Sequence, residues 1–174
     1  SYTDWNFAME DPGYNGTRHT MKQNHFHITP IPVENDGISI KELQNLFQTL
    51  LYVTPSHQFP MGSVLSITKR LQLLEWAEKN NRYIIEDDYD SELRYHNRPI
   101  PSLQSIDSGN RTIYLGTFSK SLSPDLRIAY IVLPMPLWAS YREKYLYAIC
   151  TVPTLLQLTL AKYMESGEYQ RHLN

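Results

Sequence analysis

The sequence predicts an α/β domain: a mainly parallel sheet flanked by helices. Three observations carry that expectation. Short β-rich runs alternate with segments of helical periodicity. The strand-like runs are nearly continuous in apolar residues, as strands buried on both faces are. Three of them end in polar side chains, where a doubly wound sheet gathers its ligand.

The elements follow in order. "WNFAME" (5–10), "HFHIT" (25–29) and "LLYVT" (50–54) read as strands, and so do "RYIIED" (82–87), "TIYLGT" (112–117) and "IAYIVLP" (128–134). "SIKELQNLF" pairs Ser39 with Glu42 at capping-box spacing and sets Ile40, Leu43, Leu46 and Phe47 on one helical face. "SITKRLQLLEWAEKNN" places Ile67, Leu71, Leu74 and Ala77 on a face, with Ser66 as its N-cap. "PLWASYREKYLYAIC" and "VPTLLQLTLAKYMESG" are consecutive helices with no strand between them, the second stopped by Gly167. "EYQRHLN" begins an element that the chain does not complete, and both ends read as cut from something longer.

Composition narrows the function classes. A net charge of -2 offers no global basic field for nucleic acid. A lone cysteine, Cys150, allows no internal disulfide and fits a reducing compartment. No apolar run approaches the roughly 20 residues that span a bilayer, and "SYTDWNF" lacks a signal peptide's basic and apolar regions. The expectation is a cytoplasmic protein without a membrane partner. His25 and His27 share a strand face but lack a third partner, so a metal site is not expected.

The chemistry concentrates at three strand ends. "YII" runs into Glu86, Asp87, Asp88 and Tyr89; "IYLG" into Thr117, Phe118, Ser119 and Lys120; "LLYV" into Thr54, Pro55, Ser56, His57 and Gln58. Strand alternation sets Asp87 and Tyr89 on one face and Asp88 on the other. A carboxylate and a phenol on one face suit a ring with a basic nitrogen and a phenolic oxygen. In "GTFSKSLSPDLR", the hydroxyls of Thr117 and Ser119 with the fork of Arg127 suit a phosphate, and Lys120 suits an imine. Together these describe pyridoxal phosphate.

Plainer readings stand beside this one. Taken alone, Lys120 is an ordinary solvated lysine. Taken alone, the acidic run is a loop cap or a Mg²⁺ site. A phosphoacceptor receiver domain also uses an acidic pair, a hydroxyl and a lysine. Its acidic pair ends the first strand, however, and here three β-runs precede Asp87.

"EDPGYNGTR", "YVTPSHQFPMG", "IIEDDYDSELRY", "YLGTFSKSLSPDLRIAY" and "GEYQRHLN" closely resemble the MocR/GabR family of bacterial transcription regulators. Members join an N-terminal winged-helix DNA-binding domain to a domain like a fold-type I aminotransferase. The resemblance runs from end to end of the chain. It implies that residues 1–167 are the central part of the large domain and 168–174 the start of the small domain, with DNA bound only through a domain absent from this chain.

Carried over by position, Lys120 forms the internal aldimine with pyridoxal 5'-phosphate. Asp87 pairs with the pyridinium nitrogen, and Tyr89 hydrogen-bonds the phenolic oxygen. Thr117, Ser119 and Arg127 hold the phosphate, and Tyr14 lies over the ring face. The implied event is exchange of that aldimine for one with an amino effector, γ-aminobutyrate for GabR-like members, within a homodimer. A working aminotransferase of the same fold is the alternative. The chain departs from related aminotransferases at Phe59, where many have an Asn that contacts the phenolic oxygen. Either Tyr89 acts alone or His57 or Gln58 substitutes, and Phe59 itself is expected to pack. Arg18 is the nearby candidate to grip an effector carboxylate.

Overall fold

The computed structural model describes residues 6–44, 46, 49–90 and 100–173. Trp5, Phe47 and the "SELRY" part of the acidic motif lie outside the described residues. The first strand, β1 (Asn6–Asp11), is followed by helix α1 (Asn15–Gln23), β2 (His27–Glu34) and β3 (Gly37–Ile38). A short helix, α2 (Ile40–Leu43), leads to β4 (Thr49–Val53), then to α3 (Ile67–Lys79) and β5 (Tyr83–Asp88). After α4 (Leu103–Ile106) come β6 (Thr112–Thr117), β7 (Ala129–Val132), and helices α5 (Met135–Lys144), α6 (Thr154–Glu165) and α7 (Glu168–Leu173).

The strands form one seven-stranded sheet in the order β3-β2-β1-β4-β5-β6-β7. Its centre is parallel, from β2 through β1, β4 and β5 to β6. The outer strands β3 and β7 run antiparallel. β3 returns on β2 through the two residues Asn35 and Asp36, followed by Gly37 in the left-handed region (φ 109), a hairpin signal in the sequence.

One face of the sheet is sealed. Ala8, Leu51, Val53 and Ile84 meet Leu73, Trp76 and Ala77 of α3, with Leu43 and Leu103 beside them. These residues alternate along their strands, so their neighbours Met9, Tyr52, Ile85 and Asp87 belong to the opposite face. β4, β5 and β6 are parallel neighbours, which brings all three chemistry-bearing ends to one edge.

Four expectations need correction. Ser66 does cap α3, its side chain accepting Lys69 N–H at 3.3 Å. The buried face, however, is Lys69, Arg70, Leu73, Trp76 and Ala77, while Ile67 and Leu71 are exposed. Periodicity missed this face because its two long cations are satisfied inside. Lys69 Nζ reaches Glu34, Asp36 and the carbonyls of Gly37 and Ile38, and Arg70 reaches three further carbonyls. Second, Ser39 makes no side-chain cap bond, and α2 spans only Ile40–Leu43. Third, every residue of β7 is exposed rather than buried on both faces. Fourth, His25 lies outside β2 with φ 62, so it shares no strand face with His27.

Candidate functional site

The site is built on the face of the sheet opposite α3. Tyr52 on β4 pairs with Ile85 on β5, which makes Asp87 its diagonal neighbour on the same face. The Tyr52 phenol donates a short hydrogen bond to Asp87 Oδ2, and Thr17 of α1 donates to the Tyr52 oxygen at 3.1 Å. Burial pushes the Asp87 carboxyl up, the Tyr52 hydrogen bond opposes this, and the nearby Asp88 charge adds to it; the net shift is upward. Burial and then the Asp87 charge push the Tyr52 phenol up as well, so it remains a donor. Asp87 is therefore an aimed carboxylate whose charge is costly until a cation meets it.

Its sequence neighbours face elsewhere. Glu86 is fully buried and accepts Leu103 N–H at 2.8 Å and Gln104 N–H at 2.9 Å, with Arg70 at 3.7 Å. Asp88 accepts the Tyr114 hydroxyl at 2.8 Å. Asp90 pairs with His57 Nδ1 at 2.8 Å. The acidic run thus splits among four environments, and the one carboxylate on the Tyr52 side is Asp87.

Tyr89 donates its hydroxyl to the carbonyl of His57 at 2.8 Å, and the two rings stack with centroids 6.3 Å apart. Gln58 is buried and engaged: it donates to the carbonyls of Pro12 and Phe59, accepts Met61 N–H, and hydrogen-bonds the Glu10 carboxylate. Of the two replacements considered for the missing Asn, only His57 has its side chain substantially exposed. Phe59 packs edge-on against Tyr14, centroids 5.9 Å apart, and both rings are about half exposed. Arg18 donates to the Glu10 carbonyl at 3.0 Å and pairs with Asp11 at 2.9 Å.

At the end of β6, Gly116 lies opposite Tyr130, and a Cβ there would stand 2.3 Å from the Tyr130 ring. The close approach leads into the hydroxyl pair. Thr117 Oγ1 accepts Ser119 N–H at 3.1 Å and lies 3.1 Å from Ser119 Oγ. Lys120 follows and is exposed. The chain then passes through a 3₁₀ turn, Pro124–Leu126, to Arg127, which is exposed with φ 51. A left-handed arginine is costly for a non-glycine residue, and such strain concentrates at ligand clamps.

The donor set fits pyridoxal phosphate. An aimed carboxylate, a phenol, two linked hydroxyls, an exposed arginine and an exposed lysine all come from the carboxyl edge of adjacent strands or the turn after it. Sequence reasoning missed Tyr52 and Thr17. Alternation along "LLYV" sets Tyr52 opposite Leu51, but nothing in the sequence says that β4 lies beside β5.

Comparison with known proteins shows the family. The chain is 50% identical over 167 residues to the uncharacterized HTH-type transcriptional regulator YdeL of Bacillus subtilis, which covers 96% of this chain and 36% of that protein. It is 39% identical over 165 residues to the probable rhizopine catabolism regulatory protein MocR of Rhizobium meliloti, covering 95% of this chain and 34% of that one. The chain therefore spans about a third of the length of these curated relatives. Among solved structures, Pyrococcus horikoshii kynurenine aminotransferase in complex with PMP superposes with a TM-score of 0.86 at 27% identity, over 97% of this chain and 44% of that chain. The model for aminotransferase class I and II matches residues 3–173, and the chain belongs to that family.

Proposed function

We propose that this chain is the effector-sensing part of a MocR-type transcription regulator, holding pyridoxal 5'-phosphate through Lys120. The observation that carries the reading is the aimed Asp87–Tyr52 pair at the same sheet edge as Lys120 and the Thr117–Ser119 hydroxyls. The half-identical regulator supports the regulatory context. When bound, pyridoxal phosphate supplies an aldehyde carbon that condenses reversibly with primary amines and a pyridine ring that draws electrons.

The chain's own residues do the rest. Asp87 holds the proton of the ring nitrogen, and Tyr52 keeps that carboxylate aimed. Tyr89, whose hydroxyl rests on the His57 carbonyl, would exchange that bond for one to the ring's phenolic oxygen. Thr117, Ser119 and Arg127 bind the phosphate, and Tyr14 covers the ring. Lys120 would supply the amine that holds the cofactor's aldehyde carbon, and an amino effector, γ-aminobutyrate by the family resemblance, would compete for that carbon. Displacement then shifts a two-state equilibrium in a homodimer whose DNA-binding domains lie outside this chain, in the cytoplasm.

Lys120→Ala in the full-length protein tests this. The variant should lose the visible absorption of the lysine-bound cofactor and the covalent adduct trapped by borohydride. An unchanged spectrum and adduct would sink the assignment. The likeness to kynurenine aminotransferase favours a second reading, a working aminotransferase with the same residues. Sustained conversion of a 2-oxo acid to an amino acid would select it; a single exchange without turnover selects the sensor.

A further inference from the structure

The last helix makes a contact that the proposed chemistry does not use. Tyr169 of α7 is buried and donates its hydroxyl to Ser121 Oγ at 2.9 Å, across 48 positions of sequence. His172, one turn on, lies with Nε2 2.9 Å from the Ser121 carbonyl oxygen; a carbonyl only accepts, so that nitrogen carries the proton. Ser121 is itself buried. Its side chain and its main chain are thus both held by α7, and the residue before it is Lys120.

Packing reinforces the grip. The Tyr169 ring meets Phe118 edge-on at 5.9 Å and Tyr163 at 6.1 Å, within a cluster that includes Ile128, Leu126 and Leu160. Phe118 N–H bonds the Ile128 carbonyl at 3.0 Å, and Leu122 N–H bonds the Phe118 carbonyl at 2.9 Å. The turn bearing Lys120 is therefore anchored through Ile128, just before β7, on one side and to α7 on the other. Consecutive Cα atoms are about 3.8 Å apart, so fixing Ser121 fixes where the lysine stem starts.

We propose that Tyr169 and His172 are positioning residues for Lys120, acting through Ser121, and that engagement of Lys120 is thereby linked to docking of α7. The proposal rests on the cofactor reading above. Linkage runs both ways: a lysine held in place favours docked α7, and a lysine displaced by an effector loosens it.

The experiment uses the full-length protein and has two measurements. The first needs no cofactor. In Tyr169→Phe, which keeps the ring, amide hydrogen exchange of residues 119–122 should quicken by roughly threefold to tenfold, the loss of one buried hydrogen bond. The second uses the protein loaded with pyridoxal phosphate and γ-aminobutyrate as the amine probe. The rate at which lysine-bound absorption decays should change severalfold in Tyr169→Phe and in His172→Leu, while His172→Gln, which keeps an N–H donor, should return toward the parent. Ser121→Ala removes the same bond from the other side and decides the matter if Tyr169→Phe fails to fold. Parent-like values in both measurements would overturn the proposal. If borohydride traps no cofactor on Lys120 of the parent, the cofactor reading falls, and this inference with it.

Discussion

Glu86 and Asp87 are adjacent on one strand, and their environments differ as much as two carboxylates can. Glu86 points into the sealed face, where it caps the start of α4 and stands beside Arg70. Asp87 points to the other face, where it accepts the Tyr52 phenol. Burial pushes both carboxyls up. The Glu86 carboxylate meets two backbone N–H groups and an arginine, whereas the hydrogen bond described for Asp87 comes from one phenol. A run of acids is therefore not one site, and partners decide which member can act.

The strongest way to break the comparison is to empty the sealed side. Arg70 is fully buried and donates to the carbonyls of Leu65, Pro55 and Pro101 at 2.9 to 3.0 Å. Arg70→Ala would orphan all three and strand Glu86, at a cost of about 3–5 kcal/mol in chemical denaturation. A loss below about 1 kcal/mol would mean that Glu86 does not depend on it.

The next effect is in pH. Glu10, on the same sealed face, accepts Thr54 N–H and its hydroxyl, yet burial outweighs those bonds and lifts its carboxyl from 4.5 to about 6. The folded chain then binds more protons than the unfolded one across that interval. Stability from this group is full below about pH 4.5 and falls by about 2 kcal/mol as pH rises through 6. Glu10→Gln should flatten that slope in a denaturation series; a slope that persists would assign it to another group.

The smallest stability effect belongs to the face that carries Asp87. Asp87→Asn removes a charge that burial penalises and leaves an oxygen for the Tyr52 phenol. Stability should change by less than about 1 kcal/mol, while retention of pyridoxal phosphate on gel filtration should fall sharply. Full retention would make Asp87 structural, like Glu86.

Much of this was legible in the sequence, for reasons that differ by element. β6 matches its expected run, Thr112–Thr117, and the split of the acidic run between faces follows from strand alternation alone. Strand order is not written in local pattern, so the partnership of Tyr52 with Asp87 was out of reach. The face of α3 was misread because Lys69 and Arg70 are buried with their charges satisfied, an arrangement that hydrophobic periodicity cannot register. Gly37 after Asn35 and Asp36 was a readable turn signal, and the α1 helix after Tyr14 lacked any apolar stripe to announce it, having no buried residue.

The exposed strand β7 has a consequence for solubility. Ala129 to Val132 carry no charge and are rich in β-branched and aromatic side chains, and β7 is the last strand of the sheet among the described residues. Wherever it is left uncovered, an edge of that composition is a template for pairing with another chain. Arg127 and Pro134 flank it closely, a charge and a ring that interrupt propagation of a cross-strand stack. Arg127 would thus serve as a gatekeeper against such pairing.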